Sequence, residues 1–296
     1  MGVVLTFDNG VTVRQGEKHD LPDFHDLQRM VMPVVSLRDG EVRCWGTAVC
    51  IGAGWFVTAR HVISDLDNDG VEDVFIIWES DTDLNGHGTD LLGGPLRVRT
   101  WHLHDEVDLA VLTAELPHEA PTEIRKMDWS LRMPQLGELV TVVGYSHLKG
   151  SLSVQPAGRM QLDWERTLSV GVGAVLEQRS ERRGIGLRQS PGFSTDAPAL
   201  AGMSGGPVID RHGNLLGFVS SSFEPASGAE AWDSFVALAG PALELSVTDL
   251  PLGQGLDISG ASDRRLSALM AEGAFACVSD PTFDVVDGKA TYVANE

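Results

Sequence analysis

Ala201-Gly202-Met203-Ser204-Gly205-Gly206-Pro207-Val208 is the densest chemical signal in this 296-residue chain. Glycines lie on both sides of one serine. Glycine lets a chain turn tightly and brings backbone N–H groups close to a reacting atom. A serine hydroxyl is a weak nucleophile at neutral pH. It becomes effective beside an imidazole that takes its proton, with an acid that sets the imidazole's tautomer. Two other segments hold those residue types. Gly54-Trp55-Phe56-Val57-Thr58-Ala59-Arg60-His61-Val62 puts a histidine after a short apolar run, and Val107-Asp108-Leu109-Ala110-Val111-Leu112 puts an acid before one. Taken singly, His61 reads as well as a half-buried structural histidine, and Asp108 as a strand-edge acid.

Outward from these segments the chain reads as short strands separated by turn residues. Apolar or alternating runs fall at Val31–Leu37, Thr47–Ile51, Trp55–Thr58, Val74–Trp78, Leu109–Leu112, Leu139–Val143, Thr167–Leu176, Pro207–Ile209 and Leu215–Ser220. Such spacing favours an antiparallel barrel or sandwich over alternating strands and helices. Val3–Phe7, Asp8-Asn9-Gly10 and Val11–Val13 read as a hairpin. Asp263–Glu272 has helical spacing, and Phe283–Val293 reads as a second hairpin around Asp287-Gly288. A hydrophobic share of 43% excludes a disordered chain. The net charge of −20 argues against a nucleic-acid partner, which needs a Lys/Arg surface. The first residues lack a basic segment leading into an apolar run, and no run of about 18 apolar residues occurs, so neither secretion nor a membrane span is expected. Cys44, Cys50 and Cys277 show no metal-type spacing and fit a reduced, cytoplasmic chain.

The three segments resemble, in wording and in order, the histidine, aspartate and serine motifs of the chymotrypsin-like (trypsin-fold) serine endopeptidases. The style is similar to bacterial HtrA-type catalytic domains without the peptide-binding module. The resemblance covers roughly residues 28–245. It implies an all-β fold of two six-stranded antiparallel β-barrels with a short α/β C-terminal extension. The implied division is 1–27 as an N-terminal hairpin extension, 28–125 and 126–245 as the barrels, and 246–296 as the extension. Carried over residue by residue, it makes His61 the general base and acid, Asp108 the orienting carboxylate and Ser204 the nucleophile. The N–H groups of Gly202 and Ser204 become the oxyanion hole. Pro198, Ala199, Ser220 and Ser222 become the substrate pocket. No carboxylate stands at Pro198, so a small or apolar residue is expected on the acyl side of the cut. Secreted trypsins carry an aspartate where Met203 stands, and a bridged cysteine where Val62 stands. Zymogen activation through that aspartate is therefore not expected.

A second pattern follows the histidine. Asp65-Leu66-Asp67-Asn68-Asp69-Gly70-Val71-Glu72-Asp73 alternates acids and places a glycine sixth and an acid ninth. This is the spacing of a short Ca²⁺ loop, with Asp65, Asp67, Asp69, the Val71 carbonyl and Asp73 as ligands. Asp81–Asp90 is a looser version. The expectation is a serine endopeptidase acting on protein or peptide substrates through an acyl-enzyme. It is expected to be modulated by Ca²⁺, to answer to a regulatory protein partner, and to bind neither nucleic acid nor membrane. The other reading keeps the fold without the chemistry: a catalytically silent binding module with a structural Ca²⁺ site.

Overall fold

In the computed structural model, the described residues are 3–7, 27, 29–38, 41–52, 54–71, 73–77, 95–115, 126–154, 160–180, 191–223, 232–248, 263–278, 283–286 and 289–292. After β1 (Val3–Phe7) come β2 (Val31–Arg38), β3 (Glu41–Gly52), β4 (Trp55–Thr58), helix α1 (Arg60–Asn68), β5 (Val74–Ile77), β6 (Pro95–Leu103) and β7 (Ala110–Ala114). Antiparallel pairing runs β3-β2-β5-β6-β7-β4 and returns from β4 to β3, which closes a six-stranded barrel. Beyond β8 (Trp129–Ser130), the second half contains β9 (Leu139–Val154), β10 (Met160–Arg179), β11 (Gly192–Thr195), β12 (Pro207–Ile209), β13 (Leu215–Phe223) and β14 (Asp233–Leu238). Pairing runs β9-β10-β11-β14-β13-β12 and returns to β9, closing a second barrel. Closure leaves neither barrel an open sheet edge. The rungs Glu41↔Ser151 to Arg43↔Lys149 join β3 to β9 and so the two barrels.

Strand alternation explains why the runs are so apolar. On β4, Phe56 enters the core of the first barrel while Val57 faces a separate core between the barrels. On β12, Val208 enters the second barrel while Ile209 faces that same shared core. Strands at the seam are thus buried on both faces, and their sequence loses the polar alternation of a one-sided strand.

The C-terminal segment packs onto the shared core. β15 (Ser246–Thr248) pairs with β16 (Asp263–Arg265), and α2 (Leu266–Ala271) buries Leu266 and Leu269 beside Trp129. The expected helix over Asp263–Glu272 therefore gives its first turn to a strand. β17 (Cys277–Val278) runs parallel to β8, with Phe275 stacked 5.0 Å from Trp129. β18 (Phe283–Val286) and β19 (Lys289–Tyr292) form a hairpin with Val286 paired to Lys289. At the other end, β1 pairs with Leu168–Val172 of β10; the rest of the expected N-terminal hairpin lies outside the described residues.

Candidate active site

His61 enters the site from the first turn of α1. That helix forms because Val62, Ile63 and Leu66 recur on one face and are buried in the first barrel. Its first turn has orphan N–H groups, and Ala59 offers no side-chain cap. Asp108 takes that role: its Oδ1 accepts the His61 backbone N–H at 2.9 Å. Its Oδ2 accepts His61 Nδ1–H at 2.8 Å and the Ser220 hydroxyl at 2.6 Å. With Nδ1 donating, a neutral His61 presents Nε2 as its basic edge. The loop carrying Asp108 is held in turn. Arg60 Nη1 donates to the carbonyls of His104 (2.7 Å) and Asp105 (2.8 Å). His104 Nδ1 accepts the N–H groups of Glu106 and Val107.

These contacts set the protonation states. Burial disfavours an imidazolium at His61. The Asp108 hydrogen bond and charge, with the Asp65 charge, outweigh that and raise its pKa above the ordinary value. Burial alone would raise the Asp108 pKa. His61 and Ser220 reverse the effect and hold it below the usual carboxylate range. A poised base beside an ionised acid is the result.

Ser204 sits on the turn before β12. Gly202 has φ +91°, and a Cβ there would stand 2.5 Å from the Tyr145 carbonyl oxygen. Gly205 has φ +81°, and a Cβ there would stand 2.2 Å from Thr58 Oγ1. Only glycine fits either place. Among the described residues, the N–H groups of Gly202 and Ser204 donate to no protein acceptor, whereas those of Met203, Gly205 and Gly206 do. His61, Asp108 and Ser204 line one cleft of about 860 Å³. No hydrogen bond joins the Ser204 hydroxyl to His61 among the described residues, and such bonds often form only when substrate arrives.

Of the expected pocket residues, Ala199, Ser220 and Ser222 line this cleft. Ser220, however, spends its hydroxyl on Asp108, and Ser222 donates to the Ala199 carbonyl at 2.5 Å. Pro198 is not among the lining residues: its carbonyl oxygen lies against Gly171 of β10, where a Cβ would approach to 2.1 Å. The cleft also takes in Val219 and Ser221 of the same strand as Ser220, and Leu200 and Trp232, which the motifs did not single out.

The acidic run after the histidine is built differently from a metal loop. Asp65 and Asp67 lie on α1, on the exposed side opposite Val62, Ile63 and Leu66. Gly70 has φ +66° and follows the helix C-cap, Asp69. Gly70 N–H bonds the Asp67 carbonyl (3.1 Å), and Val71 N–H bonds the Leu66 carbonyl (3.0 Å). That is a Schellman motif, with Val71 packed onto the core that holds Leu66. Asp69 pairs with Arg43 at 3.1 Å and Asp73 with Arg97. Among the described residues, no three His, Cys, Asp or Glu side chains are grouped to hold a metal. In this arrangement the five expected ligands do not converge: Asp65 and Asp67 stand on the exposed face of α1, and Asp69 and Asp73 face arginines. Asp81–Asp90 lies outside the described residues.

With this geometry in place, comparison with known proteins gives one decisive match. A model of the trypsin-like peptidase domain matches residues 46–218, more than half of the chain. The chain belongs to the trypsin-like peptidase domain family. It is a serine endopeptidase by that membership. A comparison with proteins of curated function finds no match. Among solved structures, the chain is similar to the active form of the Rv3671c protease from M. tuberculosis, at 22% identity over 88% of this chain and 91% of that one, TM-score 0.47. It is similar to Deg5 at 21% identity over 73% and 86%, TM-score 0.49. It is similar to the HtrA-type protease AlgW with tripeptide at 20% identity over 75% and 62%, TM-score 0.48.

Proposed function

We propose that this trypsin-like peptidase cleaves protein substrates through an acyl-enzyme on Ser204. His61 Nε2 takes the hydroxyl proton as Oγ attacks the scissile carbonyl, then returns it to the leaving amine. Asp108 holds the tautomer and offsets the imidazolium charge, and the Gly202 and Ser204 N–H groups receive the oxyanion. Water then repeats the sequence on the acyl group. The observation that carries this reading is a carboxylate held by three donors, two of them from the histidine it orients, in one cleft with a glycine-flanked serine.

The finer points rest on the same residues. Met203 is buried among Val140, Val142 and Ala199, and its sulfur accepts the Leu200 N–H, which supports a site that does not wait for a zymogen ion pair. Ala199, Leu200, Val219, Ser221 and Ser222 are uncharged, which supports a small or apolar residue on the acyl side. Cys44, Cys50 and Cys277 are free, and burial pushes the Cys44 and Cys50 thiols up to about 11 and about 12, in keeping with a reducing compartment. Calcium modulation is left out of the reading, since Asp69 and Asp73 pair with arginines and Asp65 and Asp67 stand on an exposed helix face.

The test is labelling by a fluorophosphonate together with casein cleavage. Wild type should do both, and Ser204→Ala should lose both, with kcat down by about 10⁶-fold. Folded wild type that takes no label and cuts nothing would instead favour the silent binding module.

A further inference from the structure

Thr47 lies in β3 of the first barrel, is wholly buried, and engages the Ser204 turn of the second barrel twice. Its N–H donates to the Ser204 carbonyl at 2.8 Å. Its hydroxyl donates to the Gly202 carbonyl at 2.9 Å and accepts the Tyr145 N–H of β9 at 2.9 Å. Its own carbonyl accepts the Thr58 hydroxyl at 2.7 Å. With these bonds, the peptide planes around the serine are tied one by one. The 202–203 peptide is held by Thr47 at its oxygen and by the Leu200 carbonyl at its nitrogen. The 203–204 peptide is held at its oxygen by Gly206 N–H. The 204–205 peptide is held by Thr47 N–H and by the Val219 carbonyl. Among the N–H and C=O groups of these three peptides, the Ser204 N–H is the one left untied.

Building on the endopeptidase reading, we propose that Thr47 is a positioning residue for the oxyanion hole, its buried hydroxyl fixing the 202–203 peptide and with it the direction of the neighbouring Ser204 N–H. A peptide plane free to tilt would weaken a donor that acts in the transition state and leave ground-state binding alone. The signature is a fall in kcat with KM unchanged.

The experiment compares Thr47→Val, which keeps the shape and removes the hydroxyl, with Thr47→Ser, which restores it. Steady-state hydrolysis of a peptide substrate is followed beside melting curves. Thr113→Val removes a buried hydroxyl of β7 that accepts the Thr248 N–H far from the serine, and serves as the control for buried-threonine loss. Thr47→Val should lose kcat on the order of 10- to 100-fold, below the 10²–10³-fold of losing an oxyanion donor outright. KM should stay within about twofold, Thr47→Ser should recover most of the rate, and Thr113→Val should lower the melting temperature while keeping kcat. If Thr47→Val does not fold, Thr47→Ala repeats the test without added bulk. Unchanged kcat in the hydroxyl-free variant, no rescue by serine, or an equal kcat loss in Thr113→Val overturns the assignment while the endopeptidase reading stands. Wild type that turns over no substrate overturns both.

Discussion

Gly70→Ala separates a helix cap from a calcium loop at the acidic run beside His61. In the folded chain Gly70 has φ +66°, and a Cβ built there meets nothing within 4 Å. The substitution therefore carries no clash. Its cost is the left-handed backbone, about 1–2 kcal/mol for a residue with a Cβ. Unfolding entropy near 60 °C, about 2.1 cal/mol/K per residue, comes to about 0.6 kcal/mol/K for 296 residues. The melting temperature should then fall by about 2–3 °C. Activity should stay, because α1 places nine residues, roughly 13 Å of helix, between its two ends. Calorimetry with CaCl₂ and then EGTA completes the assay. If the glycine only ends a helix, wild type and variant shift together and neither responds to calcium. A wild-type melting temperature that rises with calcium, returns with EGTA and loses the response in Gly70→Ala would refute the helix-cap argument. A fall beyond about 8 °C would also refute it, since αL strain cannot supply that much.

Asp65→Asn removes an exposed carboxylate whose charge helps raise the His61 pKa. His61 must be neutral to act as base, so the acid limb of kcat/KM should move to lower pH; a limb that moves up or stays at low salt counts against the electrostatic argument. Ser220→Ala removes a charge-assisted bond of about 1.5–3 kcal/mol from Asp108, and kcat should fall by roughly tenfold or more. The Asp108 pKa is depressed in the fold, so its stabilisation is present above the unfolded carboxyl pKa and is lost as pH falls through the folded one. Ser220→Ala should therefore begin acid unfolding at higher pH, read by circular dichroism against wild type.

The strands at the barrel seam were legible because burial on both faces leaves unbroken apolar runs: Trp55–Thr58 and Pro207–Ile209 were read at their observed limits. β6, β11 and β14 were not read. Pro95–Leu103 alternates Leu96 and Val98 with Arg97 and Arg99, a pattern that a short exposed segment shares. The acidic run reads two ways because one alternation serves two structures. Acids at 65 and 67 are the polar face of a helix whose apolar face is Val62, Ile63 and Leu66, and a glycine turns either a loop or a helix end. The period of the apolar residues, not that of the acids, was the stronger signal. The bond from Ser220 to Asp108 and the place of Pro198 against β10 were not legible for another reason. Which way a strand or loop residue faces depends on pairing partners: Asp108 lies 112 residues from Ser220, and Gly171 belongs to β10.

The cleft chemistry is divided between barrels, and the division explains why local sequence carries the residue types but not their arrangement. The first barrel supplies His61 and Asp108, and the second supplies Ser204. Neither half is held by its own barrel alone. Ser220 of β13 reaches across to Asp108, and Thr47 of β3 reaches across to Gly202 and Ser204. Each cross-barrel bond starts from a buried residue, Ser220 or Thr47, and ends on a half-buried group at the cleft. A shift of one barrel against the other would leave the buried Ser220 and Thr47 donors unpaired, at about 1–3 kcal/mol for each. The polar contacts that align the acid and the serine therefore also set the docking of the barrels. Alignment and docking are one requirement, met by residues that no single motif contains.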